Sequence, residues 1–217
     1  MPRALLAVFC LVSSAFCAVA SVRVEISSLD ELRLAAARDG QTVVLRPGVD
    51  RTADFLTPAA IAERREKGDF AIINFSGSDN TFVFDGVEIV HDTAVRPLLR
   101  QPIHTTEFIV TGHRNTLRGL ALTCVGEGTS PAGALFQLAG DHNVMSDAVL
   151  TVTGSFPYGY GDLFGKGGKP VIGHRKHSGF LVTGQAAHVL RVKLYMRSFG
   201  HGFFIQGGDD HHFEDCY

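Results

Sequence analysis

With 217 residues, a formal charge of −2 and 45% apolar side chains, the chain is long enough for one domain with an extended core. It lacks the basic excess that a nucleic-acid-binding protein advertises. Four cysteines, two of them within the first twenty residues, are too few for a disulfide-built scaffold.

Residues 1–20 read as an export signal. Arg3 precedes an apolar run from Ala4 to Phe16, and Ala18-Val19-Ala20 presents the small-x-small pattern of a cleavage site. Removal leaves residues 21–217 as one domain, with 19 basic against 22 acidic residues. No other run has membrane-spanning length, so the expectation is a secreted, periplasmic or surface protein without stable membrane insertion. Ser28-Leu29-Asp30-Glu31 is a capping box that opens a short helix with Leu32, Ala35 and Ala36 on one apolar stripe. Gly40 is expected to end it. Gln41–Leu45 reads as a strand, and a second helix starts at Thr57, carries Pro58 in its first turn and stops at Gly68, an insertion spanning about 50–69.

From Ile73 onward one pattern returns five times: an apolar run, a glycine, a polar corner and a second apolar run. The glycines are Gly77, Gly112, Gly140, Gly184 and Gly208, at intervals of 35, 28, 44 and 24 residues. Four places before them stand Ile73, Phe108, Phe136, Phe180 and Phe204, and two places before stand Phe75, Val110, Leu138, Val182 and Gln206. Strand side chains alternate faces, so these positions are expected to point inward. Three places after the glycines come Asn80, Asn115 and Asn143, then Ala187 and His211. Asparagine suits a corner, and stacked copies are expected to share amides as a ladder. The second strand alternates as Leu120/Leu122/Cys124, Ala148/Leu150/Val152 and Val192/Leu194/Met196. A unit this short cannot close a core alone, so copies must stack in parallel. The spaces between strands lack the amphipathic period that a helical crossover would need.

These residues, across roughly Ser28 to Tyr217, resemble the right-handed parallel β-helix repeat proteins of the pectin-lyase-like superfamily. The resemblance implies an all-β solenoid of about five coils, with the first helix as an N-terminal cap. The last repeat stops at Cys216-Tyr217 in its second strand, so the expectation is a truncated C-terminal end. Cys124 and Cys216 fall on inward positions three coils apart, roughly 14 Å at the spacing of paired strands, and are expected to stay unlinked.

The interval of 44 residues holds an excursion over 154–178 that carries Tyr158, Tyr160, Lys166 and the basic run His174-Arg175-Lys176-His177. Long loops usually have a task. The outward positions of the following strand are Lys193, Tyr195 and Arg197. Excursion and strand are expected to form a groove for an acidic polysaccharide. Tyr158, Tyr160, Lys166, Arg175, His177 and Lys193 would bind it.

Many proteins of this fold are polysaccharide lyases or glycoside hydrolases, and the resemblance carries over no individual catalytic residue. A lyase needs a base, a neutraliser for the uronate carboxylate and an acid; a hydrolase needs two carboxylic acids. Lys176, Tyr195, Arg197 and His201 suit β-elimination: Lys176 or His177 as base, Arg175 or Arg197 as neutraliser, Tyr195 as acid or hydrogen-bond donor. His201-Gly202 otherwise marks a turn. The alternative is a non-catalytic glycan-binding or surface structural β-helix. Asp209-Asp210-His211-His212 reads as a corner in preference to a metal site; cofactor use and calcium dependence are not legible in these residues.

Overall fold

The computed structural model describes residues 21–154 and 176–217. The elements run β1 (Val22–Ile26), α1 (Leu29–Ala35), β2 (Gln41–Leu45), β3 (Gly48–Arg51), α2 (Thr52–Phe55), α3 (Pro58–Lys67), β4 (Ile73–Phe75), β5 (Thr81–Val83), β6 (Val87–Asp92) and α4 (Val95–Leu99). They continue as β7 (Phe108–Val110), β8 (Thr116–Arg118), β9 (Ala121–Val125), β10 (Ala134–Leu138), β11 (Val144–Ser146), β12 (Val149–Thr153), β13 (Ser178–Val182), β14 (His188–Leu190), β15 (Lys193–Arg197), β16 (Phe203–Ile205) and β17 (His212–Glu214).

Three parallel sheets result. One has seven strands in the order β1-β2-β5-β8-β11-β14-β17; the others have five, β4-β7-β10-β13-β16 and β3-β6-β9-β12-β15. From β4 on, the chain visits the three sheets in rotation, and each strand pairs with its equivalent one turn later. This is a mostly β, solenoid-like arrangement. The core is a set of side-chain columns: Ile73, Phe108, Phe136 and Phe180 are in register on neighbouring strands and at most 1% exposed. The Phe136 and Phe180 rings stack at 5.6 Å.

The glycine column has a steric cause. A Cβ on Gly112 would lie 1.8 Å from Gly77 O, one on Gly140 1.9 Å from Gly112 O, and one on Gly184 2.1 Å from Gly140 O. Backbone stacks directly on backbone at this corner, and only glycine leaves room. The buried asparagines hold the same corner together. Asn115 Oδ1 accepts from Asn80 N at 3.0 Å and Asn143 Oδ1 from Asn115 N at 2.8 Å, while Asn115 Nδ2 donates to Gly77 O at 2.8 Å. The ladder therefore runs between amide side chains and backbone, where direct sharing between side chains was expected.

Two expectations need correction. In the last turn Phe203, not Phe204, pairs with Phe180, and Phe204 pairs with Leu181 on the outer row. Gly208 keeps its place, its Cβ position lying 2.2 Å from Gly184 O. One residue is thus inserted between strand and corner, and counting back from Gly208 misplaces the strand by one. The first helix ends at Ala36 in right-handed geometry, and Gly40 (φ +69°) instead donates to Ser78 O in the next turn at 3.0 Å. Its start follows the capping box: Ser28 Oγ accepts from Glu31 N at 3.3 Å, and Glu31 Oε2 reaches back to Ser27 N at 2.7 Å. The second helix has Thr57 as cap and Gly68 as its left-handed stop. Among the described residues no helix is long and apolar enough to cross a membrane.

Candidate functional site

The outer row of β15 follows from strand alternation. Leu194 points inward and is 9% exposed, whereas Lys193, Tyr195 and Arg197 are exposed. Their register partners on β12 are Val149, Thr151 and Thr153, and one turn earlier the row begins with Ala121 and Thr123 on β9. The outer rows of β9, β12 and β15 thus carry two cations and a phenol but no carboxylate. Along this outer row carboxylates stand on β6, where Glu88 accepts from Thr123 Oγ1 at 2.8 Å and Asp92 from Ala94 N at 2.9 Å.

Lys176 and His201 lie on neighbouring turns at the corner that follows β12 and β15. His177 N donates to Phe199 O at 2.7 Å and Gly179 N to His201 O at 2.8 Å, so the strand entering β13 lies against residues 199–201. Each candidate side chain here rests on an aromatic ring. Lys176 Nζ stands 5.0 Å over Phe199, the His201 ring stacks on Phe204 at 4.5 Å, and Tyr195 meets Tyr217 edge-on at 6.1 Å. Such contacts hold cations and rings in place while leaving polar tips in solvent. Tyr158, Tyr160, Lys166 and Arg175, like residues 1–20, lie outside the described residues.

His177 is not on this surface. It is fully buried, its Nδ1 donating to Thr153 O at 2.9 Å and its Nε2 standing 3.2 Å from Glu107 Oε2. Nε2 has no hydrogen-bond partner and stands beside the Glu107 carboxylate. The expected groove residue is therefore an interior one. The last member of the basic run thus lies in the core, while Lys176 before it is exposed.

His177 belongs to a buried cluster absent from the sequence reading. Arg96 on α4 grips Glu107 with two prongs, Nε to Oε1 and Nη2 to Oε2, both at 2.8 Å. His91 Nε2 lies 2.9 Å from Glu107 Oε1, and its Nδ1 meets Thr52 Oγ1 at 3.1 Å. Burial alone would raise the Glu107 carboxyl, but His91, Arg96 and His177 hold it well below the usual carboxylate range. Cys124 sits against the same group, its thiol pushed by burial up to about 12. One signal was available in the sequence: His91 follows Val87 and Ile89 at inward parity.

The cluster and Ser130 also anchor the described residues Thr153, Gly154 and Lys176. Thr153 O accepts from Arg96 Nη1 and Nη2, each at 3.2 Å, as well as from His177. Gly154 O accepts from Ser130 N at 2.8 Å, and Lys176 O from Ser130 Oγ at 3.1 Å. Lys176 is thereby placed by its buried neighbours.

At the last corner, His211 Nδ1 accepts from Ala187 N at 3.3 Å and its Nε2 donates to Gly207 O at 2.9 Å, with Asp210 in left-handed conformation. Histidine does here what asparagine does in earlier turns. Among the described residues no three His, Cys, Asp or Glu side chains converge as a metal site. Cys124 and Cys216 are free. No family model and no curated protein matches this chain.

Proposed function

We propose that the chain is an exported right-handed parallel β-helix protein of the pectin-lyase-like kind, with α1 covering its first coil, that acts on an acidic polysaccharide. The carrying observation is the outer row Lys193, Tyr195 and Arg197, which continues onto β12 and β9 without a carboxylate. A hydrolase needs two carboxylic acids at one bond, and among the described residues the outer rows of β9, β12 and β15 carry none. It suits a polyanion, and it suits β-elimination: Arg197 neutralises a uronate carboxylate, Lys176 or His201 takes the proton beside it, and Tyr195 supplies the leaving oxygen with a proton. Proton loss then leaves a carbon–carbon double bond in the sugar whose glycosidic oxygen departs.

A second reading, glycan binding without cleavage, is favoured by one observation. The contacts of Lys176, Tyr195 and His201 are each with an aromatic ring, the make-up of a stacking platform. Affinity electrophoresis through gels containing polygalacturonate, alginate or a neutral glucan tests what both readings share. Retardation by a uronate polymer and not by the glucan is expected. Equal mobility in every gel contradicts both.

A further inference from the structure

Beside the candidate groove, two turns back along the same corner, a cavity of about 220 Å³ opens between residues 96–101 and 129–131. It is lined by Arg96, Pro97, Arg100, Gln101, Thr129 and Pro131. That volume is smaller than the roughly 300–1,000 Å³ of drug-sized pockets and corresponds to about seven waters of liquid volume, the scale of one small molecular unit.

Its chemistry is specific. Among the described residues, two guanidinium groups line it and no carboxylate does. Arg96 is committed to Glu107, Gly128 O and Thr153 O, which leaves the exposed Arg100 as the charge a ligand would meet. Gln101 is only 9% exposed, and its Nε2 donates to Phe70 O at 2.9 Å, which fixes the orientation of the amide. Its Oε1 is buried without any donor. A buried acceptor left unpaired is costly, and a donor brought into the cavity would relieve it. Pro97 and Pro131 supply apolar walls and Thr129 a hydroxyl. A cation, an orphaned acceptor and two apolar walls match a ring that carries one carboxylate and several hydroxyls.

We infer that this cavity is a subsite for a single carboxylate-bearing sugar unit, with its carboxylate on Arg100 and one hydroxyl donating to Gln101 Oε1. The inference deepens the acidic-glycan reading and rests on it for the choice of sugar. Continuity supports it: Ser130, between the two lining residues Thr129 and Pro131, holds the Lys176 carbonyl at 3.1 Å. Cavity and groove are thus neighbouring stations on one corner of the stack.

The test is titration of the full chain with the sodium salts of galacturonate, glucuronate and mannuronate, each against its neutral hexose, followed by calorimetry and ligand-detected NMR. At least one acid is expected to bind, with the matching hexose about tenfold weaker or more, since a charge-assisted hydrogen bond is roughly twice as strong as a neutral one. Arg100→Gln is expected to remove that advantage, and Gln101→Met to weaken the acid with melting temperature as the folding control. Arg100→Glu should abolish binding. Equal affinity for acid and hexose, unchanged binding by Arg100→Gln, or no binding of any acid overturns the subsite. Loss of monomer binding in Arg197→Ala alone also overturns it while leaving the groove reading intact. If monomer binding depends on Arg100 but no uronate polymer is retained, the subsite stands and the groove reading fails.

Discussion

Arg96 and Glu107 form a two-pronged ion pair at 2.8 Å with side chains 1% and 0% exposed, and the same guanidinium donates to the carbonyl of Thr153. Burying such a pair costs solvation that its attraction must offset, so its value for stability is modest while both partners remain. Breaking it is another matter. Glu107→Gln leaves Arg96 charged in the interior and is expected to destabilise by about 3–5 kcal/mol, read from urea unfolding at neutral pH. An unchanged midpoint would contradict the pairing.

The pH dependence has a definite sign. The Glu107 carboxyl is lowered in the folded state, so its stabilisation is complete above the ordinary glutamate value of about 4.3. It is lost as pH falls from there through the folded value. The stability gap between the wild type and Glu107→Gln should therefore narrow as the pH falls below about 4.3 and on through the folded value. A gap that stays constant or widens over that acid range would reverse the assignment.

The glycine column makes a sharp steric prediction. In Gly140→Ala the new Cβ would lie 1.9 Å from Gly112 O, and a backbone carbonyl in a paired stack cannot swing aside. The expected loss is at or beyond the upper end of the roughly 1–3 kcal/mol of ordinary overpacking. Far-ultraviolet circular dichroism against temperature measures it, and a melting curve like that of the wild type would deny the close stacking.

Core columns predict a graded series. Phe136→Ala removes a fully buried ring between two others and should cost about 3–5 kcal/mol. Phe203→Ala should cost more than Phe204→Ala, because Phe203 continues the column while Phe204 lies on the outer row. The opposite order in thermal unfolding would restore the register counted from Gly208.

Much of this fold was legible because backbone contact leaves a trace in sequence. Glycines that stack on carbonyls cannot vary, and their constant offset reveals strand parity, as with Phe108, Phe136 and Phe180. The trace fails where two glycines adjoin, since Gly207 and Gly208 give two possible origins and only the pairing chooses between them. Of the candidate site, Lys193, Tyr195 and Arg197 were legible because alternation places them outward. His177 was not, for a basic run looks solvated unless its buried counter-charge is known. Glu107 stands 70 positions earlier (177 to 107) in the sequence, beside an apolar strand that gives no hint of a partner. Ion pairs across turns of a stack depend on coil lengths that periodicity does not supply.

The site itself is tested by exposed residues. Lys176→Ala and Arg197→Ala are each expected to leave the melting temperature nearly unchanged, because surface charges contribute little to folding. Both should weaken retention by a uronate polymer, and if elimination occurs there they should lower turnover by about 10²-fold or more, the scale of a lost general base or charge stabiliser. Retention equal to wild type in both variants would move the site elsewhere.

The most direct measurement is incubation of the full chain with polygalacturonate, alginate and glucuronate-containing polymers while following the ultraviolet absorbance of unsaturated sugar ends. The account predicts that absorbance rises with at least one polymer and that the rise is lost in Arg197→Ala. New reducing ends released from any of these polymers without that absorbance would mean hydrolysis and would contradict it.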